Sequence, residues 1–319
     1  MSNTRDIREQ LHHRLIPALP VPFTQERIIH HDSHVRMAEY MHSMPIGGVA
    51  VWAHTGRGLL LSEDERAVVL THWRESLPHG VIIAGAGSRE MAERAKSLGA
   101  DAILCHPPTH LQWKASIVGD VGRTAPRDEA IIEYHSELSR AGLPLILFYL
   151  YEAAGGIDYS IDVLRKLFTL PNVIGIKIAT LDSVMTFQDF ALSIKTEYPD
   201  KLLITGEDRF LGYSLMMGAD AALVGMGAAL TGLQADMMKA FYTQDFDSFL
   251  YRSKIADRFA MATFCDPMEG YISRMLYALA WSGIVSTKAI FDPWSPALAD
   301  TDLDNVANFL TSLPNELKH

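Results

Sequence analysis

The chain has 319 residues, with 28 Lys and Arg against 38 Asp and Glu, for a formal charge of −10. That excess of negative charge repels phosphate backbones and anionic bilayers, which argues against a nucleic-acid or membrane partner. A content of 48% hydrophobic and 21% charged residues suits a large core and excludes a disordered chain, and the length accommodates one large α/β barrel with additions or two ordinary domains.

The amino terminus, MSNTRDIREQLHHR, is polar where a signal peptide would be apolar, and no later run approaches the roughly 20 uninterrupted apolar residues of a membrane span. Cys105 and Cys265 form neither a disulfide framework nor a CxxC pair, so a cytoplasmic setting is expected. Short runs rich in Val, Ile, Leu and Ala then recur, each followed by a longer segment of helical periodicity, as parallel βαβ units require. The runs predict strands at 14–19, 48–52, 80–85, 101–105, 144–149, 172–177, 202–205 and 221–225. Helices are predicted between them, opening on Ser or Asp caps as in SEDER and SREMAER, and two close at Gly99 and Gly142, where a left-handed residue ends a helix. A spacing of about 30 residues per unit fits eight βα units. The rival doubly wound sheet lacks its signature, since the first turn reads PVPFTQER with no GxGxxG. In AGAGS (84–88), Gly85 and Gly87 read as points of close approach to a ligand or to backbone. From about 230 onward only helical patterns remain. The predicted fold is therefore an α/β chain: a (β/α)8 TIM barrel over 1–229 carrying the active site, with a C-terminal helical extension over 230–319.

In such barrels the chemistry sits at the carboxyl ends of the strands. Of ten lysines, only Lys177 ends an apolar strand. Desolvation disfavours its ammonium form, and the neutral amine is a nucleophile toward ketones. The alternative is an ion pair with an acidic neighbour at the barrel mouth. Tyr149 ends the preceding strand, where a phenol can carry protons for a carbinolamine; in FYLY, either Tyr149 or Tyr151 can instead point into the wall. The turn Ala53-His54-Thr55-Gly56-Arg57-Gly58 offers a hydroxyl and glycine-exposed N–H groups to a carboxylate, although a polar loop reads the same way. His30, His31, His34, His106 and His110 raise the question of a metal, but there is no HxH strand pair and no HExxH, so no metal is expected.

Together, LIPALPVPF (15–23), AHTGRG (53–58), SEDER, IAGAGS, GADAILCHPP, FYLY, NVIGIK and GADAALVG resemble the dihydrodipicolinate synthase and N-acetylneuraminate lyase family over nearly the whole chain. The resemblance implies a (β/α)8 barrel with a helical C-terminal domain, commonly a homo-oligomer (dimer or tetramer). It also implies a Schiff base with pyruvate or another 2-keto acid and no metal or organic cofactor. By the family's spacing, a tyrosine 28 positions before the GIK lysine is the proton shuttle. This selects Tyr149 to act with Lys177, and it makes Thr55 and the Gly56 backbone the keto-acid carboxylate anchor. His54 stands where a hydroxyl residue usually relays protons to the tyrosine and is expected to take over that relay. Arg57 replaces a Glu and is expected either to meet an anionic substrate group or to pair with Glu63, Glu65 or the next subunit. Asp208 and Arg209, in GEDR after strand seven, are placed to face the same cavity, with a helix cap as the other reading of Asp208, and Leu223 and Val224 read as the cavity floor. The implied activity is a lyase or aldolase. The alternatives are a hydro-lyase on a deoxy-keto sugar acid through the same imine and a non-catalytic keto-acid-binding barrel.

Overall fold

The computed structural model describes residues 2–111, 125–181 and 183–317. The apolar runs are eight parallel strands: β1 (Leu15–Pro17), β2 (Gly48–Val51), β3 (Val81–Ala86), β4 (Ala102–Cys105), β5 (Leu145–Leu150), β6 (Val173–Ala179), β7 (Leu202–Thr205) and β8 (Ala221–Val224). Every boundary lies within two residues of the one read from sequence. The strands are ordered β1-β8-β7-β6-β5-β4-β3-β2. A parallel bridge between Ala18 and Ala50, with the Leu19 N–H donating to the Ala50 carbonyl at 3.0 Å, closes the sheet into the expected barrel.

Around it run α1 (Ser2–Leu11), α2 (His31–His42), α3 (Glu63–Ser76), α4 (Arg89–Ser97), α5 (Ala125–Ser139), α6 (Ile161–Phe168), α7 (Val184–Glu197) and α8 (Leu211–Met216). Their starts follow side-chain caps. The Ser62 hydroxyl accepts from the Glu65 N–H at 3.2 Å, while the Glu65 carboxylate accepts from the Ser62 N–H at 2.7 Å, forming a reciprocal capping box. His30 caps α2 by accepting from the Ser33 N–H at 3.2 Å. Gly99 and Gly142 have φ of 99° and 74°, the left-handed geometry predicted at those helix ends.

Strand parity divides the core in two. Ile16, Ile83, Leu104, Ile146 and Leu223 fill the barrel, and Ile7 and Leu11 of α1 pack with them. Alternate strand residues, such as Leu145, Leu147, Ile176 and Ile178, face the helix layer. Beyond the barrel follow α9 (Thr231–Tyr242), α10 (Phe246–Thr263), α11 (Tyr271–Trp281) and α12 (Asp300–Ser312). Arg274 of α11 is fully buried; it donates to the carbonyls of Thr263, Cys265, Asp266 and Pro267 and to Asp302 at 3.0 Å. This one side chain fastens α11 to α12 and to the end of α10. Among the described residues no helix is long and apolar enough to cross a membrane.

Gly85 fulfils the reading of AGAGS. A Cβ there would lie 2.2 Å from the Trp52 carbonyl oxygen and 2.5 Å from His106 Nε2, two atoms that themselves share a 2.8 Å hydrogen bond. Gly85→Ala is expected to destabilise the protein by about 1–3 kcal/mol through overpacking, read as a lower thermal midpoint; an unchanged midpoint would show that the backbone yields at no cost.

Candidate active site

Lys177 lies on β6 with Gly175 and Ala179 on the inward side, and only 6% of its surface is exposed. Its ammonium nitrogen is 4.3 Å from the centre of the Phe148 ring, and among the described residues it has no hydrogen-bond or ion-pair partner. Burial lowers its pKa, and Asp208 and Glu207 pull it back up less strongly. The nitrogen opens on a cavity whose walls include His54, Thr55, Leu150, Tyr151, Leu181, Asp208, Met268 and Tyr271. Gly206, at the end of β7, makes room for the lysine stem, since a Cβ there would lie 2.6 Å from Lys177 Cε.

The phenol expected at Tyr149 is not brought to this cavity. Between Leu145 and Ile146 the β5–β6 register shifts by one residue, so that Phe148 pairs with Lys177 and Tyr149 with Ile178. One residue of register reverses which face a side chain takes. Tyr149 therefore turns to the helix layer, 4.7 Å from the Phe190 ring and 6.1 Å from Tyr159 between ring centres. The phenols on the cavity wall are those of Tyr151 and Tyr271.

Thr55 lines the cavity and is 4% exposed. Its hydroxyl shares a 3.0 Å hydrogen bond with the hydroxyl of Tyr271, from the first turn of α11, and burial raises the Tyr271 pKa well above the ordinary phenol value. Two neutral hydroxyls thus stand side by side. Gly56 lies off this wall, against the β1 end, where a Cβ would meet the Leu19 carbonyl oxygen at 2.8 Å. Leu223 is fully buried in the barrel interior and Val224 packs toward the helices, so neither forms the cavity floor expected of them; the residue from the end of β8 on the wall is Gly225.

His54 borders the cavity, but its Nε2 is 2.9 Å from Glu269 Oε1, and its expected partner Tyr149 is on the far side of β5. Arg57 pairs with neither Glu63 nor Glu65. It is buried at 8% exposure, donating from Nε and Nη2 to Asp292 at 3.1 and 2.8 Å and from Nη1 to Glu269 at 2.5 Å. Burial pushes the Glu269 carboxyl up, but His54 and Arg57 outweigh it and hold the group at about 2. The loop after β2 is thereby tied to the segment that starts α11, which sets Tyr271 against Thr55.

Two carboxyls from the loop after β7 complete the wall. Both Glu207 oxygens are occupied, accepting from the Thr180 N–H at 2.6 Å, the Thr180 hydroxyl at 2.9 Å and the Leu181 N–H at 3.1 Å. They hold Leu181 at a φ of 64°, a strained backbone state for this residue. Burial raises Glu207 to about 7 against these donors. Asp208 is not the cap of α8. Its Oδ1 accepts from the Met226 N–H at 2.6 Å, across the barrel mouth after β8, and burial raises its pKa against the opposing effects of Met226 and Lys177. Arg209 borders the cavity and donates to the Phe264 carbonyl at 2.7 Å. Among the described residues no group of three or more His, Cys, Asp and Glu side chains is arranged to hold a metal ion.

Sequence reasoning missed Phe148, Glu207, Glu269 and Tyr271. The acidic pair in GEDR was a visible signal, and Glu269 and Tyr271 carried none.

Comparison with known proteins agrees with this architecture. Residues 11–311 match the Dihydrodipicolinate synthetase family. N-acetylneuraminate lyase 2 of Escherichia coli O6:H1 is 25% identical over 316 residues, covering 95% of this chain and 94% of the relative. An uncharacterised DapA-like lyase of Thermococcus kodakarensis is 25% identical over 250 residues, covering 76% of this chain and 80% of its own. Dihydrodipicolinate synthase DapA-2 from Bacillus anthracis superposes with a TM-score of 0.79 at 18% identity, covering 96% of this chain and 99% of that one. YagE, a prophage protein of the dihydrodipicolinic acid synthase family from E. coli K12 solved in complex with pyruvate, gives 0.81 at 19% identity over 96% of this chain and 98% of that one. These two structural likenesses show the shared fold. With a family match that spans the barrel and reaches into its last helix, the chain belongs to the dihydrodipicolinate synthetase family and is a lyase of the class I aldolase type.

Proposed function

We propose that the protein is a Schiff-base lyase acting on pyruvate or a related 2-keto acid, with Lys177 as nucleophile. The observation that carries this reading is the buried Lys177 amine, without a hydrogen-bond or ion-pair partner among the described residues, opening on the cavity. The neutral amine adds to the keto carbon, and the former carbonyl oxygen leaves as water once it is protonated, giving a cationic imine. The hydroxyl pair of Thr55 and Tyr271 binds the keto-acid carboxylate: one hydroxyl donates to the other, and the remaining proton is offered to the carboxylate. Tyr271 keeps its proton, which suits a donor and not a shuttle.

The proton for the departing water comes from Asp208. Glu207 has both oxygens committed to Thr180 and Leu181, whereas Asp208, on the same wall as Lys177, is held by backbone N–H groups with Met226 foremost. A carboxyl whose pKa is raised by burial carries a proton near neutrality, as this step requires.

The trapping experiment is direct. Incubation with pyruvate and borohydride is expected to inactivate the enzyme irreversibly and leave a reduced adduct on Lys177; EDTA-sensitive activity with no adduct would defeat the reading. The pH dependence follows from the charge states. Lys177 must be neutral, which burial and rising pH both favour, and Asp208 must be protonated, which burial and falling pH both favour. As an interacting pair they titrate together, so the trapping rate is expected to be bell-shaped. Asp208→Asn is expected to remove the alkaline limb; a profile rising monotonically to high pH in the unaltered enzyme would exclude Asp208 from the step. Tyr271→Phe is expected to raise the pyruvate KM about tenfold, the equivalent of one hydrogen bond to a charged group, and steady-state kinetics reads it.

A further inference from the structure

A second cavity adjoins the first and shares His54, Leu150 and Ala154 with it. Among the described residues its walls are largely apolar, built from Leu59, Leu60, Pro107, Leu150 and Ala154. Of the polar side chains that border it, that of Thr109 lies at the exposed rim, and those of Arg57, His54 and His106 are already engaged. The Arg57 guanidinium is matched by two carboxylates, His54 Nε2 contacts Glu269, and His106 Nε2 is 2.8 Å from the Trp52 carbonyl oxygen. A polyhydroxylated fragment placed here would lose water from its hydroxyls and find few groups to replace it. An anionic fragment would find the charge of Arg57 already neutralised. A ring or a branched alkyl chain would exchange water for apolar wall at no such cost.

We infer that this second cavity binds the apolar portion of an aldehyde, an aromatic ring or a branched alkyl group, whose carbonyl reaches the keto-acid carbon in the first cavity; the inference rests on the imine chemistry proposed for Lys177. In the condensing direction the imine first loses a proton from the carbon next to C2 to the Asp208 carboxylate, left ionised by the departure of water, and becomes an enamine. That carbon bonds to the aldehyde carbonyl carbon, the carbonyl π pair moves onto oxygen, and the resulting alkoxide takes the Asp208 proton. Water then hydrolyses the imine and returns the free amine. Cleavage runs the same bonds in reverse, with the carbinol proton passing to the Asp208 carboxylate as the C–C bond breaks.

The test compares benzaldehyde with glyceraldehyde as partners for pyruvate in the full-length enzyme. The kcat/KM for benzaldehyde is expected to exceed that for glyceraldehyde about 100-fold. Leu59→Asn and Leu60→Asn, both at the half-exposed rim, are each expected to raise the benzaldehyde KM about tenfold and to leave borohydride trapping of pyruvate unchanged. Equal or better use of glyceraldehyde, with pyruvate still trapped, overturns the inference and leaves the Schiff-base reading intact. Absence of trapping overturns the Schiff-base reading; the cavity is then tested by saturation-transfer NMR with benzyl alcohol, whose signal Leu59→Asn should weaken. If Leu60→Asn separates the enzyme into monomers without moving the benzaldehyde KM, a second copy of the chain covers this face and the assignment falls.

Discussion

Lys177→Met is expected to abolish the borohydride-trapped pyruvate adduct and to lower turnover by on the order of 10³-fold or more, because no other group replaces a lost covalent nucleophile. The substitution nearly preserves side-chain length, and it exchanges an amine that is costly to bury for an apolar thioether. The variant should therefore melt no lower than the parent protein. This combination separates a chemical role from a structural one: a lysine kept for packing or for an ion pair would lose stability when replaced and leave turnover nearly intact. Adduct formation on a different lysine, or retention of a tenth or more of the activity, would remove Lys177 from the mechanism.

Arg57→Met is expected to cost about 3–5 kcal/mol of stability, the usual penalty for removing one partner of a buried ion pair. The penalty falls on Asp292, which is 4% exposed and receives both the Nε and Nη2 hydrogen bonds. Without Arg57 it is a buried carboxylate with its main cation gone. Glu269 loses its 2.5 Å contact as well, although its remaining contact with His54 and its greater exposure soften that loss. In a thermal scan the change corresponds to about 6–15 °C. The double variant Arg57→Met/Asp292→Leu is expected to regain most of the loss, since it removes the orphaned charge along with its partner. A loss below about 1 kcal/mol, the range of surface pairs, would show that water screens this pair despite its burial. Because the same residues hold the start of α11, the single variant should also raise the pyruvate KM.

The barrel was legible because each strand is a short apolar run buried on both faces, and this pattern is local. Lys177 was legible for the same reason, as the one lysine that ends such a run. Tyr149 shows where local reading stops. Its neighbours in sequence are strand residues either way, but which of Phe148 and Tyr149 faces inward depends on the single shifted pair between β5 and β6, and counting positions along the chain does not reveal that shift. The turn at 53–58 was recognised as important, and its geometry was not. Thr55 does reach the cavity, whereas Arg57 pairs with Asp292, 235 positions further along the chain. Glu269 and Tyr271 sit in a segment with ordinary helical periodicity, and nothing in a helix's own sequence states which distant loop its first turn touches.

The hydrogen bond between Thr55 and Tyr271 joins residues 216 positions apart. A chain emerging from the ribosome completes all eight strands before Tyr271 has been synthesised, so a closed barrel can form while one wall of its cup is still missing. Contacts of such long range are among the slowest to form. Competence for keto-acid binding is then a late event in biogenesis, acquired only when the final helices dock.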